Sequence, residues 1–153
     1  MGLNVARSEL KEEPDIFYNI ITLYDVLEHL RNPMEMFKTL NKKLLSGGYV
    51  LAYIPNIHSM ATRLMDGRHK NVDPFVHLCF FDPKSLNFLA EKNGFQVKSV
   101  DYYGLDIMDF LFMKTHDDGF DYLAGLKEFI PVMQAILDKQ KISNHQRVVF
   151  KKP

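Results

Sequence analysis

Apolar and polar positions fall in blocks along this chain. Residues 16–23 are apolar or β-branched apart from Asn19, the pattern of a strand buried on both faces. The pattern turns polar abruptly at Tyr24-Asp25, and a helical segment follows with Val26, Leu27 and Leu30 as its apolar side. Asn32-Pro33-Met34-Glu35 then predicts a helix start. Asn32 can cap it, Pro33 has no amide hydrogen to leave unpaired, and Glu35 can reach back to the cap. Met36, Phe37, Leu40 and Leu44 follow at helical spacing, and Gly47-Gly48 offers a left-handed stop. Residues 49–54 read as the next buried strand, ended by Pro55-Asn56.

The excursion 57–72 holds a short helix and a charged loop, and its position past a strand end suits either a lid or a surface insertion that only covers the sheet edge. Asp82-Pro83 repeats the cap-plus-proline start; the helix carries Leu86, Leu89 and Ala90 inward and stops at Gly94. Residues 95–103 alternate as a strand with one less apolar face, nearer a sheet edge. Residues 105–141 form a helical insertion, marked by Leu123, Leu126, Phe129, Ile130, Met133, Ile136 and Leu137, which Pro131 kinks or restarts. Residues 146–151 read as a terminal strand, and Leu3-Asn4-Val5 as the tail of an earlier one.

The 153 residues suit one domain. Nineteen basic and nineteen acidic residues cancel, which argues against nonspecific nucleic-acid binding. No apolar run is long enough to span a bilayer, and no basic-then-apolar leader is evident. The single cysteine, Cys79, lies in an apolar run; it reads as core and fits a reducing, cytoplasmic setting. No Gly-x-Gly-x-x-Gly turn occurs.

In open α/β sheets ligands bind beyond the carboxyl ends of the strands. Tyr24, Asp25, Glu28 and His29 would sit at such an end; alternatively Asp25 only caps a helix and Glu28 and His29 are solvated. A neutral imidazole can accept a proton, and of the six histidines His29 falls beside this strand end. His58 and His69 fall on the excursion 57–72, while His116 and His145 have no motif around them. His58, His69 and His77 lack the i, i+4 spacing of a helix-borne metal site, so no metal site is expected.

Four blocks in order carry a resemblance: Tyr24-Asp25-Val26-Leu27-Glu28-His29-Leu30 with Arg31-Asn32-Pro33; Leu44-Leu45-Ser46-Gly47-Gly48-Tyr49-Val50 with Ile54-Pro55-Asn56; the stretch 73–86; and Asn93-Gly94-Phe95. Together they resemble the class I S-adenosylmethionine-dependent methyltransferases of the "DVLEHL" subgroup. The resemblance implies an α/β, Rossmann-like sheet, mostly parallel with an antiparallel last strand, here as its C-terminal part. It implies S-adenosylmethionine as cofactor, with Glu9, Tyr24 and Asp25 on the cofactor side, His29 and His77 as catalytic groups, and a small-molecule acceptor. Val76 stands where the family usually has an acid before His77. The Gly-rich cofactor turn would precede this chain, so a truncated domain, inactive alone, is expected. An exposed sheet edge then predicts a homodimer. The alternative is a non-catalytic methyltransferase-like module for binding or dimerisation.

Overall fold

The computed structural model of the chain describes residues 8–153, so the expected strand tail at Leu3-Asn4-Val5 lies outside the described residues. In order the elements are β1 (Tyr18–Tyr24), a 3-10 turn (Leu27–His29), α1 (Pro33–Lys43), β2 (Leu44–Pro55), α2 (Met60–Met65), α3 (Pro83–Lys92), β3 (Gln96–Tyr103), α4 (Asp106–Asp118), α5 (Tyr122–Leu126), α6 (Ile130–Lys139) and β4 (His145–Lys151). The caps follow the sequence. Asn32 Oδ1 accepts from the Glu35 amide, and Asp82 and Ser85 form a reciprocal capping box. Pro131 restarts the chain as α6, and Gly94, at φ +75°, ends α3.

Gly47-Gly48 acts differently from expectation. Helix α1 stops at Lys43 without them, and both glycines lie inside β2. Gly47 takes φ +80° where the β1–β2 register slips, and a Cβ on Gly48 would sit 3.0 Å from the Asn19 carbonyl oxygen. The pair makes a kink in the strand, because β1 approaches it too closely for a side chain.

Strand order is β1-β2-β4-β3. β1 and β2 are parallel, and β4 inserts between β2 and β3, antiparallel to both. The last strand therefore lies where the resemblance puts it, and β3 is an edge. Both crossovers, β1-α1-β2 and β2-α3-β3, advance across the sheet in the same direction. Right-handed connections then place α1 and α3 on one face. That face is the main core: Leu23, Val50, Ala52, Ile54, Val148 and Phe150 bury against Phe37, Leu40, Leu86 and Leu89. The opposite face stays open at β1, where Ile20 is 57% and Tyr24 68% exposed. The expectation that β1 is buried on both faces is thus corrected: its apolar run has one covered side.

A second, smaller cluster joins Ile107, Leu111 and Leu137 of α4 and α6 to Met60, Leu123 and Leu126. Asp106 ties it to the sheet. This buried carboxylate accepts from the Ala61 amide (3.1 Å), the Asn144 amide (2.8 Å) and Gln134 Nε2 (3.1 Å). Among the described residues no helix is long and apolar enough to cross a membrane.

Candidate active site

The carboxyl ends of β1, β2 and β3 and the start of β4 meet along one edge of the sheet. Asp25 turns the chain there at φ +49°, a left-handed conformation that Asp tolerates better than most residues. Its amide donates to the Tyr53 carbonyl (3.1 Å), extending the β1–β2 ladder by one bond. The Asp25 carboxylate caps no helix; the residue before the 3-10 turn is Val26, and no side chain caps that turn. Asp25 is exposed.

Tyr24, Tyr53, Tyr103 and His145 line the open face at this edge. Tyr53 stacks on His145 (4.7 Å, 11° between planes) and lies 5.4 Å from Tyr103 and 6.2 Å from Tyr24. Burial pushes the Tyr53 phenol up to about 12, with Tyr103, Asp25 and Glu28 adding to it. Burial likewise pushes the His145 imidazole below its ordinary range. The sequence offered no motif for His145 or Tyr53; the register of β4 beside β2 brings them here.

Beyond β1 the 3-10 turn and the loop 71–81 are stitched together. Leu78 and Cys79 amides both donate to the Glu28 carbonyl (2.7 and 3.0 Å), and Cys79 Sγ donates to the Leu30 carbonyl (3.2 Å). Cys79 is only partly buried, against the main core, with its thiol pushed up by burial. This docking brings His29 and His77 together, ring centroids 4.9 Å apart. His29 Nδ1 lies 2.7 Å from the Val76 carbonyl and His77 Nδ1 2.9 Å from the Asn71 carbonyl. A carbonyl can only accept, so each Nδ1 carries the hydrogen, and in the neutral ring Nε2 holds the lone pair. Glu28 is fully buried beneath them, which corrects the reading of it as solvated. Among the described residues neither of its carboxylate oxygens has a hydrogen-bond partner from another residue. Burial pushes this carboxyl above the ordinary range, and the Asp25 charge adds to the effect.

The remaining candidates separate. Glu9 pairs with Lys11 (2.7 Å) and lines another cleft, about 570 Å³, with Leu10, Leu30, Arg31, Asn32 and Met36. Tyr24, Asp25, His29 and His77 do not line that cleft. His58 and His116 are exposed. His69 is buried instead of facing a substrate, with Nδ1 3.4 Å from Thr62 Oγ1 and Nε2 3.7 Å from Asp109.

A methyltransferase domain family model matches residues 3–100. The chain belongs to that family. Solved structures share the methyltransferase fold. A S-adenosylmethionine-dependent methyltransferase from Archaeoglobus fulgidus is 21% identical at TM-score 0.60, aligning 97% of this chain with 67% of its own. One from Thermotoga maritima is 12% identical at TM-score 0.58, with 95% and 62% covered. The [4+2]-cyclase SpnF is 11% identical at TM-score 0.58, with 97% and 55% covered. This methyltransferase domain thus spans 55% to 67% of the length of these structures. No curated protein matches it significantly. The cyclase shows that the fold by itself hosts more than one reaction.

Proposed function

We propose that this chain forms the acceptor side of a S-adenosylmethionine-dependent methyltransferase acting on a small-molecule acceptor. What supports the reading is one convergence: an exposed carboxylate, an aromatic row and two imidazoles with free Nε2 meet at the carboxyl end of the sheet. The donor set fits the methionine end of the cofactor. Asp25 can accept from an ammonium group, and the faces of Tyr24 and Tyr53 suit a sulfonium cation. Glu9, in its separate cleft, suits the adenine amino group, with Leu10, Leu30 and Met36 for apolar contact. When bound, the cofactor supplies an electrophilic methyl group. The chain's own residues align the acceptor and take its proton. His29 or His77 accepts that proton at Nε2, while Nδ1–H stays on its carbonyl. Segment 57–72 serves as the lid.

Calorimetric titration of the 153-residue chain with S-adenosylhomocysteine tests this. Micromolar binding would put the cofactor on these residues. No heat up to millimolar ligand would sink the reading that these residues hold the cofactor.

One observation favours the second reading, a binding or dimerisation module. The outer edge of β1 has no strand beside it among the described residues, and Ile16, Phe17, Ile20 and Tyr24 are exposed along it. Such an edge pairs readily with another chain, here a second copy. A monomer mass in solution at micromolar concentration would sink the homodimer.

A further inference from the structure

The buried Glu28 calls for a counterpart. Its side chain is 0% exposed and, apart from a contact with its own backbone amide, neither oxygen has a hydrogen-bond partner among the described residues. A carboxylate taken out of water without a donor or cation is strongly disfavoured. A proton would remove the charge but create a buried O–H donor that also needs a partner. Directly beside it stand two imidazoles whose Nε2 atoms have no hydrogen-bond partner among the described residues. One ligand atom from each of Glu28, His29 and His77 lies within 4.8 Å of the others.

We propose that Glu28, His29 and His77 hold a divalent transition-metal ion just beyond β1, with coordination positions left open to an oxygen ligand. Donors around such an ion at about 2.1 Å stand no more than about 4.2 Å apart, so the cluster tightens only slightly on binding. The donor kind selects the metal. Two imidazole nitrogens and one carboxylate suit Zn²⁺, Mn²⁺, Fe²⁺ or Co²⁺ rather than Mg²⁺ or Ca²⁺, which favour all-oxygen shells. Three protein ligands leave the ion unsaturated, as catalytic sites require.

The surroundings support ligation. Each imidazole donates its Nδ1–H to a backbone carbonyl, Val76 for His29 and Asn71 for His77. That outer contact fixes the ring and presents Nε2. Glu28 and His29 share one 3-10 turn, and the amides of Leu78 and Cys79 clamp the His77 loop onto the Glu28 carbonyl. The site is assembled between segments almost fifty residues apart, which is why helical spacing in the sequence gave no sign of it. Its use in methyl transfer rests on the methyltransferase reading. There the ion would hold the acceptor's oxygen and make a bound hydroxyl more acidic, relieving the imidazoles of proton transfer.

The test is Co²⁺ titration of the chelator-stripped 153-residue chain, followed by calorimetry and visible absorption. One equivalent should bind at micromolar affinity or tighter, with the absorption bands of an unsaturated nitrogen–oxygen site, and Zn²⁺ should displace it. Glu28→Gln, which keeps the shape, and His77→Ala should each weaken binding at least about tenfold, whereas His116→Ala, at an exposed histidine, should not. Far-UV spectra check that each variant is folded. No saturable binding up to millimolar Co²⁺, or equal affinity in Glu28→Gln and His77→Ala, would overturn the site. Cofactor titration of the same chain is independent. Cobalt binding without cofactor binding upholds the metal site and removes only the methyl-transfer reading. Cofactor binding without cobalt binding overturns the metal site alone.

Discussion

The two faces of the sheet come from the same strands, yet they serve opposite ends. On the closed face, Leu23, Val50, Ala52, Ile54, Val148 and Phe150 are all buried under α1 and α3. On the open face, in register one residue away, Tyr24 lies opposite Tyr53 and Tyr53 opposite Arg147. Period-2 side-chain geometry puts stability on one side and leaves the other to meet a ligand or another chain. The difference teaches that apolar composition within a strand does not say which side is covered; the direction of the crossovers does.

The largest expected break is on the closed face. Phe37 meets Phe95 and Phe150 edge-on at 5.5 and 5.0 Å, and Phe37→Ala should cost about 3–5 kcal/mol in denaturant unfolding. Next comes the tie between the sheet and the smaller cluster. Asp106→Ala strips the Ala61 and Asn144 amides and Gln134 of their acceptor, and should cost about 2–3 kcal/mol, with faster hydrogen exchange in α4 and α6. On the open face, Ile20→Lys should change monomer stability by less than about 0.5 kcal/mol while abolishing any self-association at the β1 edge, read by sedimentation.

The smallest effect is in pH. Burial holds the folded-state pKa of His145 below the ordinary value, so the unfolded chain takes up its proton first on acidification. The stability from neutral His145 is therefore fully present above about pH 6.5 and is lost as pH falls through the lowered folded value. An NMR titration should find its midpoint below 6.5, and His145→Gln should flatten stability against pH in that window.

Much of the fold was legible because its signals are local. Asn32-Pro33, Asp82-Pro83 and Gly94 mark helix ends through bonds made within a few residues. The four blocks that resemble a methyltransferase carried the family and the antiparallel last strand. Three things were not legible. The apolar run 16–23 has no alternation, so nothing in it separates a covered side from an open one. Gly47-Gly48 looked like a helix stop because its real constraint, the nearby Asn19 backbone, belongs to another strand. The burial of Glu28 gave no sign in the sequence because the loop that covers it lies some fifty positions on. Asp25, His29 and His77 were legible as candidates; their geometry, and the presence of Tyr53 and His145 beside them, needed the sheet.

β4 has one more consequence. It is the last strand in sequence yet sits in the interior of the sheet, bonded to β2 on one side and β3 on the other. Lys152 Nζ adds bonds to the Asn41 and Leu44 carbonyls at the end of α1. During synthesis, β2 and β3 must therefore wait, with facing edges unpaired, until residues 145–151 leave the ribosome. A chain that stalls before them would lack the middle of its sheet instead of an edge, and would present two sticky borders to chaperones and proteases.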